Sequence, residues 1–167
     1  MKTKPPIVLA VMLLALWKAS AEDAFDKPGI VKIAIETQIT SKAIPDRSPG
    51  TWLAAKVSEG DKVFTGATVY FRGHGTEGKL DKSPNLTIKF DSTDPAKQFH
   101  GHQTILLENA LNDRTYACDY IGSELFRSAG VPAPHVTYAN ITFNGTKLGL
   151  YVMVEGIDHA FLEHRRG

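Results

Sequence analysis

Gly73, Gly75 and Gly78 stand in the spacing Gly-x-Gly-x-x-Gly, between the β-rich runs Thr68–Phe71 and Leu86–Phe90. Glycines at such a spacing let backbone N–H groups approach phosphate oxygens, because no Cβ stands in the way. A dinucleotide-binding loop runs from its strand into a helix whose N-terminus holds the pyrophosphate. Here Pro84 intervenes, and Leu86–Phe90 alternates as a strand does. The loop therefore joins two strands. It either covers phosphates or is a glycine-rich hairpin connection with no ligand, since the spacing alone does not choose between them.

The elements that must position this loop fit one domain. The chain has 167 residues and a formal net charge of +1. Lys2 and Lys4 precede an apolar run, Ile7–Trp17, that is too short to span a bilayer, and Ala19-Ser20-Ala21 follows as a small-residue cleavage site. Residues 1–21 are expected to be a signal peptide cut after Ala21, which leaves no stable membrane span and sends the chain to a secreted, periplasmic or cell-surface location. No block of Lys and Arg marks a nucleic-acid partner. Cys118 is the only cysteine, so no internal disulfide is available. His74, His100, His102 and His135 lie apart in the chain and are expected to be ordinary polar residues.

After the leader, Ile30–Thr37 alternates as a strand, and Ser41–Gly50 is a loop. Trp52–Val57 and Val63–Thr65 are strands about a turn at Gly60-Asp61, and the glycine unit follows. Thr104–Leu107 is a short buried strand. Ala117, Ile121 and Leu125 recur every fourth residue, with Asp113 as N-cap, Gly130 after the C-terminus and Pro132 beyond. This pattern predicts a helix over 114–129 with Ile121 and Leu125 buried. Asn144-Gly145 predicts a hairpin turn between the strands 136–143 and 147–154. A further helix is expected to begin at Ile157. The expected fold class is α+β: a twisted antiparallel sheet with one helix packed on a face.

From about Val57 onward the chain resembles the CotH kinase family, secreted or spore-coat proteins with an atypical kinase-like fold. The residues that carry the likeness are Phe71-Arg-Gly-His-Gly-Thr76, Leu86-Thr-Ile-Lys-Phe-Asp91, Phe99-His-Gly101, Glu124-Leu-Phe-Arg-Ser-Ala-Gly-Val-Pro-Ala-Pro134 and Asn144-Gly-Thr-Lys-Leu-Gly-Leu-Tyr-Val-Met-Val-Glu155. The resemblance implies ATP-dependent phosphoryl transfer to Ser or Thr of a protein substrate, with Mg or Mn. It makes residues 22–156 the N-terminal lobe and residues 157–167 the start of a second, incomplete one. Gly73, Gly75, Thr76 and Gly78 would then lie over the phosphates, with Arg72 at the rim. Val154, Glu155 and Gly156 would be the hinge beside the adenine. A lysine paired with a helix acid is also implied. Lys82 is the nearest match and Lys89 the alternative; Glu124 is favoured over Asp119 as the acid.

The family draws its metal-holding carboxylates from motifs well after the hinge, so the resemblance implies no catalytic residue within this chain. The chain is expected to be truncated before the second lobe and inactive alone, with that lobe or a protein substrate as partner. Val152 and Val154, or Tyr151 and Met153, would then expose apolar surface. The alternative is a non-catalytic secreted or coat protein that keeps only the fold. Asn85, Asn140 and Asn144 head glycosylation sequons that matter only in a host that glycosylates secreted proteins.

Overall fold

The computed structural model describes residues 23–26, 29–38, 52–72 and 83–164. Its strands are β1 (Ile30–Thr37), β2 (Leu53–Glu59), β3 (Lys62–Arg72), β4 (Asn85–Lys89), β5 (Thr104–Glu108), β6 (Val136–Phe143) and β7 (Thr146–Glu155). The helices are α1 (Cys118–Ser128), between β5 and β6, and the short α2 (His159–His164).

The expected open sheet with a packed helix is overturned. The strands form a closed barrel in the order β1-β2-β3-β4-β5-β7-β6. The seam is a parallel pairing of β1 with β6, from Ile30 opposite Tyr138 to Ile35 opposite Phe143; the other neighbours are antiparallel. Asn144 pins the end of the seam: its N–H donates to Ile35 O at 2.9 Å, and its Oδ1 accepts from Thr37 N at 2.8 Å.

Closure has a local cause. An extra residue in β3 opposite Lys56, with Gly66 at φ +78°, and another in β7 beside Gly149, at φ +100°, shift the register of the two ladders. Such bulges bend a strand and raise its twist. Gly66 thus continues one long strand where a break was expected. The Gly60-Asp61 and Asn144-Gly145 turns fall where the sequence puts them.

The alternating apolar residues face inward. Ile33, Ile35, Val57, Val69, Leu86, Ile88, Ile105, Leu107, Ile141, Phe143 and Met153 are almost fully buried. Phe64, Phe90 and Phe99 pack together, with centroids 5.2–5.6 Å apart. A barrel buries its apolar faces against one another and needs no helix to cover them.

That explains α1. Ala117, not the expected Asp113, takes the N-cap position: a turn over 113–116 delays the helix to Cys118, whose N–H still donates to Asp113 Oδ2 at 2.8 Å. Of its residues only Ser123 is buried, held by a hydrogen bond to Pro134 O. Ile121 and Leu125 are 62% and 66% exposed, contrary to expectation. Tyr151 and Met153, expected at an open apolar surface, are instead buried in the barrel core, and Val152, on the opposite face of β7, is buried as well.

Candidate functional site

β3 and β4 are adjacent antiparallel strands, paired from Thr68–Lys89 to Arg72–Asn85. The segment carrying the glycines therefore connects two neighbouring strands, as the sequence indicates. Gly73, Gly75, Thr76, Gly78 and Lys82 themselves lie outside the described residues. Phe71 faces the core and Arg72, one residue on, faces outward. Arg72 forms an ion pair with Glu108, at the end of β5 on the far side of β4. The Arg72 Nε is buried without a hydrogen-bond partner among the described residues. Asn85, between the paired residues, accepts from Asn109 N at 2.7 Å and holds the exit of β5.

The other expected contacts are not brought together. Glu124 lies exposed on α1 and pairs with Arg127 at 2.8 Å. Lys89 lies over the Trp52 ring at 4.6 Å, and Asp119 is exposed in the first turn of α1. None of these groups approaches Arg72 through a described contact.

Val154 and Glu155 end β7. Val154 pairs with Leu106 on one side and Val136 on the other. The Glu155 N–H donates to His135 O and the Gly156 N–H to Thr104 O, each at 2.9 Å. A Cβ on Gly156 would stand 2.5 Å from Thr104 Cβ, so only glycine permits this approach. Glu155 has the inward parity of Met153, and its carboxylate closes the barrel end. Its Oε2 accepts from His135 N at 3.0 Å and Nδ1 at 2.8 Å, and its Oε1 lies 3.4 Å from His102 Nδ1. The His102 Nε2 lies 3.1 Å from both oxygens of Asp23. His102 is aimed by a tight turn, in which Phe99 and His102 exchange backbone hydrogen bonds and His100 and Gly101 both have positive φ.

Electrostatics tie these groups together. Burial opposes a charged His102, yet the hydrogen bonds to Asp23 and Glu155 outweigh it and raise the ring to about 9. Burial likewise opposes a charged Glu155, but bonds from His102 and His135 hold its carboxyl well below the usual range. Asp23 is lowered as well: burial acts against it, and His102 and the Phe25 N–H prevail. A cleft of about 240 Å³ lies here, lined among others by His100, His102, His135, Glu155 and Asp158.

His102 and His135 therefore meet at Glu155 and His100 lines the same cleft, although the sequence sets them apart; His74 lies outside the described residues. No spacing signals this; the order β5-β7-β6 brings residues 102, 155 and 135 to one end. The same rearrangement makes Glu108, which the sequence reading did not single out, the partner of Arg72. Among the described residues no group of three or more His, Cys, Asp or Glu could hold a metal ion, the histidine–acid cluster included. No described helix is long and apolar enough to cross a membrane.

Comparison with curated proteins gives no match. A family model described as CotH kinase protein matches residues 69–167, from within β3 through the glycine loop to the last residue. That stretch is more than half of the chain and holds the β3–β4 unit and the β7 end, and the chain belongs to the CotH kinase protein family.

Proposed function

We propose that this chain supplies the nucleotide-covering part of a secreted CotH-type kinase, which transfers the γ-phosphoryl group of ATP to Ser or Thr of a protein. The observation that carries this reading is the glycine segment between two neighbouring antiparallel strands, inside the family match. Kinases cover ATP phosphates with a glycine-rich loop in that setting. Arg72, Gly73, Gly75, Thr76, Gly78 and Lys82 would hold the phosphates, and the Val154–Glu155 end of β7 would border the base.

Bound Mg or Mn would neutralise the phosphates and stabilise the charge of the transferred group. The described donor set does not fit such an ion, so no step is assigned to it. The role left to this chain is binding and orientation of ATP without turnover. The leader expected over 1–21 supports action outside the cytoplasm.

Fluorescent-ATP binding and labelled-phosphate transfer, run side by side on the purified chain, test this reading. The expected result is saturable binding displaced by ATP, with no transfer to added protein. Absence of displaceable binding would overturn it.

A second reading, a secreted or coat-type interaction protein, is favoured by one observation. Ile121, Leu125 and Phe126 leave apolar side chains of α1 open to solvent. Exposed patches of this kind mark interaction sites.

A further inference from the structure

Asp23, Ala24 and Phe25 belong to no strand, yet Ala24 is fully buried and Phe25 nearly so. The Phe25 ring lies edge-on to His102, with centroids 4.8 Å apart, and tilted against His135 at 6.2 Å. The Phe25 N–H donates to Asp23 Oδ1 at 3.0 Å, which fixes the carboxylate relative to the ring. That carboxylate meets His102 Nε2, while the opposite ring nitrogen faces Glu155. One imidazole thus joins the segment before β1 to the last residue of β7.

We propose that Asp23–Phe25 is a strap that locks the β5-β7-β6 end of the barrel through His102, and so fixes the orientation of Glu155. This inference does not depend on nucleotide binding. Strand pairing sets the backbone of β7 and places Glu155 opposite Ile105 of β5, whose apolar side chain offers the inward carboxylate no hydrogen bond. His102 and His135 provide that orientation, and Asp23 holds His102 in the charged form that can donate from both nitrogens. The titratable groups around the ring are Asp23 on the strap, Glu155 on β7 and His135 ahead of β6, with His100 and Asp158 on the cleft wall. With the leader cut after Ala21 as expected, a single residue would precede Asp23, and the strap would be the mature N-terminus.

Amide hydrogen exchange, followed by NMR on the purified chain, tests the strap. Asp23→Asn keeps the shape and removes the charge; Phe25→Ala removes the ring. Each is expected to speed exchange of the Glu155 and Gly156 amides at least tenfold, while the Val69 and Ile88 amides keep their rates. Unchanged rates at Glu155 and Gly156 in Asp23→Asn would overturn the proposal. Equal acceleration throughout the barrel, or failure of Asp23→Asn to fold, would overturn it too, because a local strap does not hold up the whole sheet. If Phe25→Ala fails to fold, Asp23→Asn alone decides.

Discussion

Glu155 and His135 are joined twice: one carboxylate oxygen takes both the backbone N–H and the ring Nδ1 of His135, at 3.0 and 2.8 Å. With the Glu155 N–H on the His135 carbonyl, this seals the last rung between β7 and the residue entering β6. The end of β7, proposed above to border the base, is therefore anchored by its own side chain. His102 and Asp23 extend the same network to the N-terminal segment.

This network makes stability depend on pH. The folded His102 value, about 9, lies above the ordinary 6.5, so its contribution is full below about 6.5 and is lost as pH rises through 9. Glu155 and Asp23 are lowered from 4.5 and 3.8, so their contribution is present above those values and lost as pH falls below them. The melting temperature is expected to be highest between about pH 4.5 and 6.5 and to fall towards pH 9 and in acid. His102→Gln should flatten the alkaline fall. Thermal melts of both proteins across the pH range check this.

Barrel closure can be tested by cross-linking. Lys32 and Asn140 are opposite each other across the parallel β1–β6 seam. Neighbouring strands lie about 4.8 Å apart, within reach of a disulfide. In a Cys118→Ser background, Lys32→Cys with Asn140→Cys should form an intramolecular disulfide under mild oxidation, seen as a mass loss of about two hydrogen atoms and resistance to alkylation. Persistent free thiols would contradict the seam.

How much of this was legible follows from what each signal reports. Alternation in Ile30–Thr37 and Val136–Phe143 reports which side chains turn inward, and both strands stand where the sequence puts them. It says nothing about which edges meet, so the parallel seam and the closure stayed hidden. The stripe of Ile121 and Leu125 reports a helix, and α1 is there. Periodicity does not report whether a face finds a partner, and the barrel had already buried its apolar faces within itself. The pairing of β3 with β4 was legible because the two strands are near neighbours in the sequence. The Asp23–His102–Glu155–His135 network and the Arg72–Glu108 pair were not, because each joins residues that only the closed sheet brings together.

The exposed stripe on α1 leads to an energetic prediction. Leu125→Lys should change stability by no more than about 0.5 kcal/mol, as surface substitutions do. Leu107→Ala, in the barrel core, should cost about 2–5 kcal/mol. Urea denaturation of the two variants measures both. A large loss in Leu125→Lys would mean that the stripe is packed.

The Arg72–Glu108 pair is part-buried on both sides. Glu108→Gln leaves the guanidinium with a neutral partner and should destabilise the chain by about 1–3 kcal/mol. A double-mutant cycle with Arg72→Gln should show that most of this loss is coupling between the two residues. Additive losses in the cycle would show that the two side chains act independently.

The central claim is that the segment between β3 and β4 meets the phosphates of ATP. Gly75→Val places a branched side chain where the backbone would approach them and restricts that backbone. Calorimetric titration of ATP into the native chain and the Gly75→Val chain, with circular dichroism to show that both are folded, is the most direct measurement. Heat of binding is expected for the native chain and none for the variant at the same concentrations, with matching spectra. Equal affinity in the two folded proteins would contradict it and leave the glycine segment as a hairpin connection only.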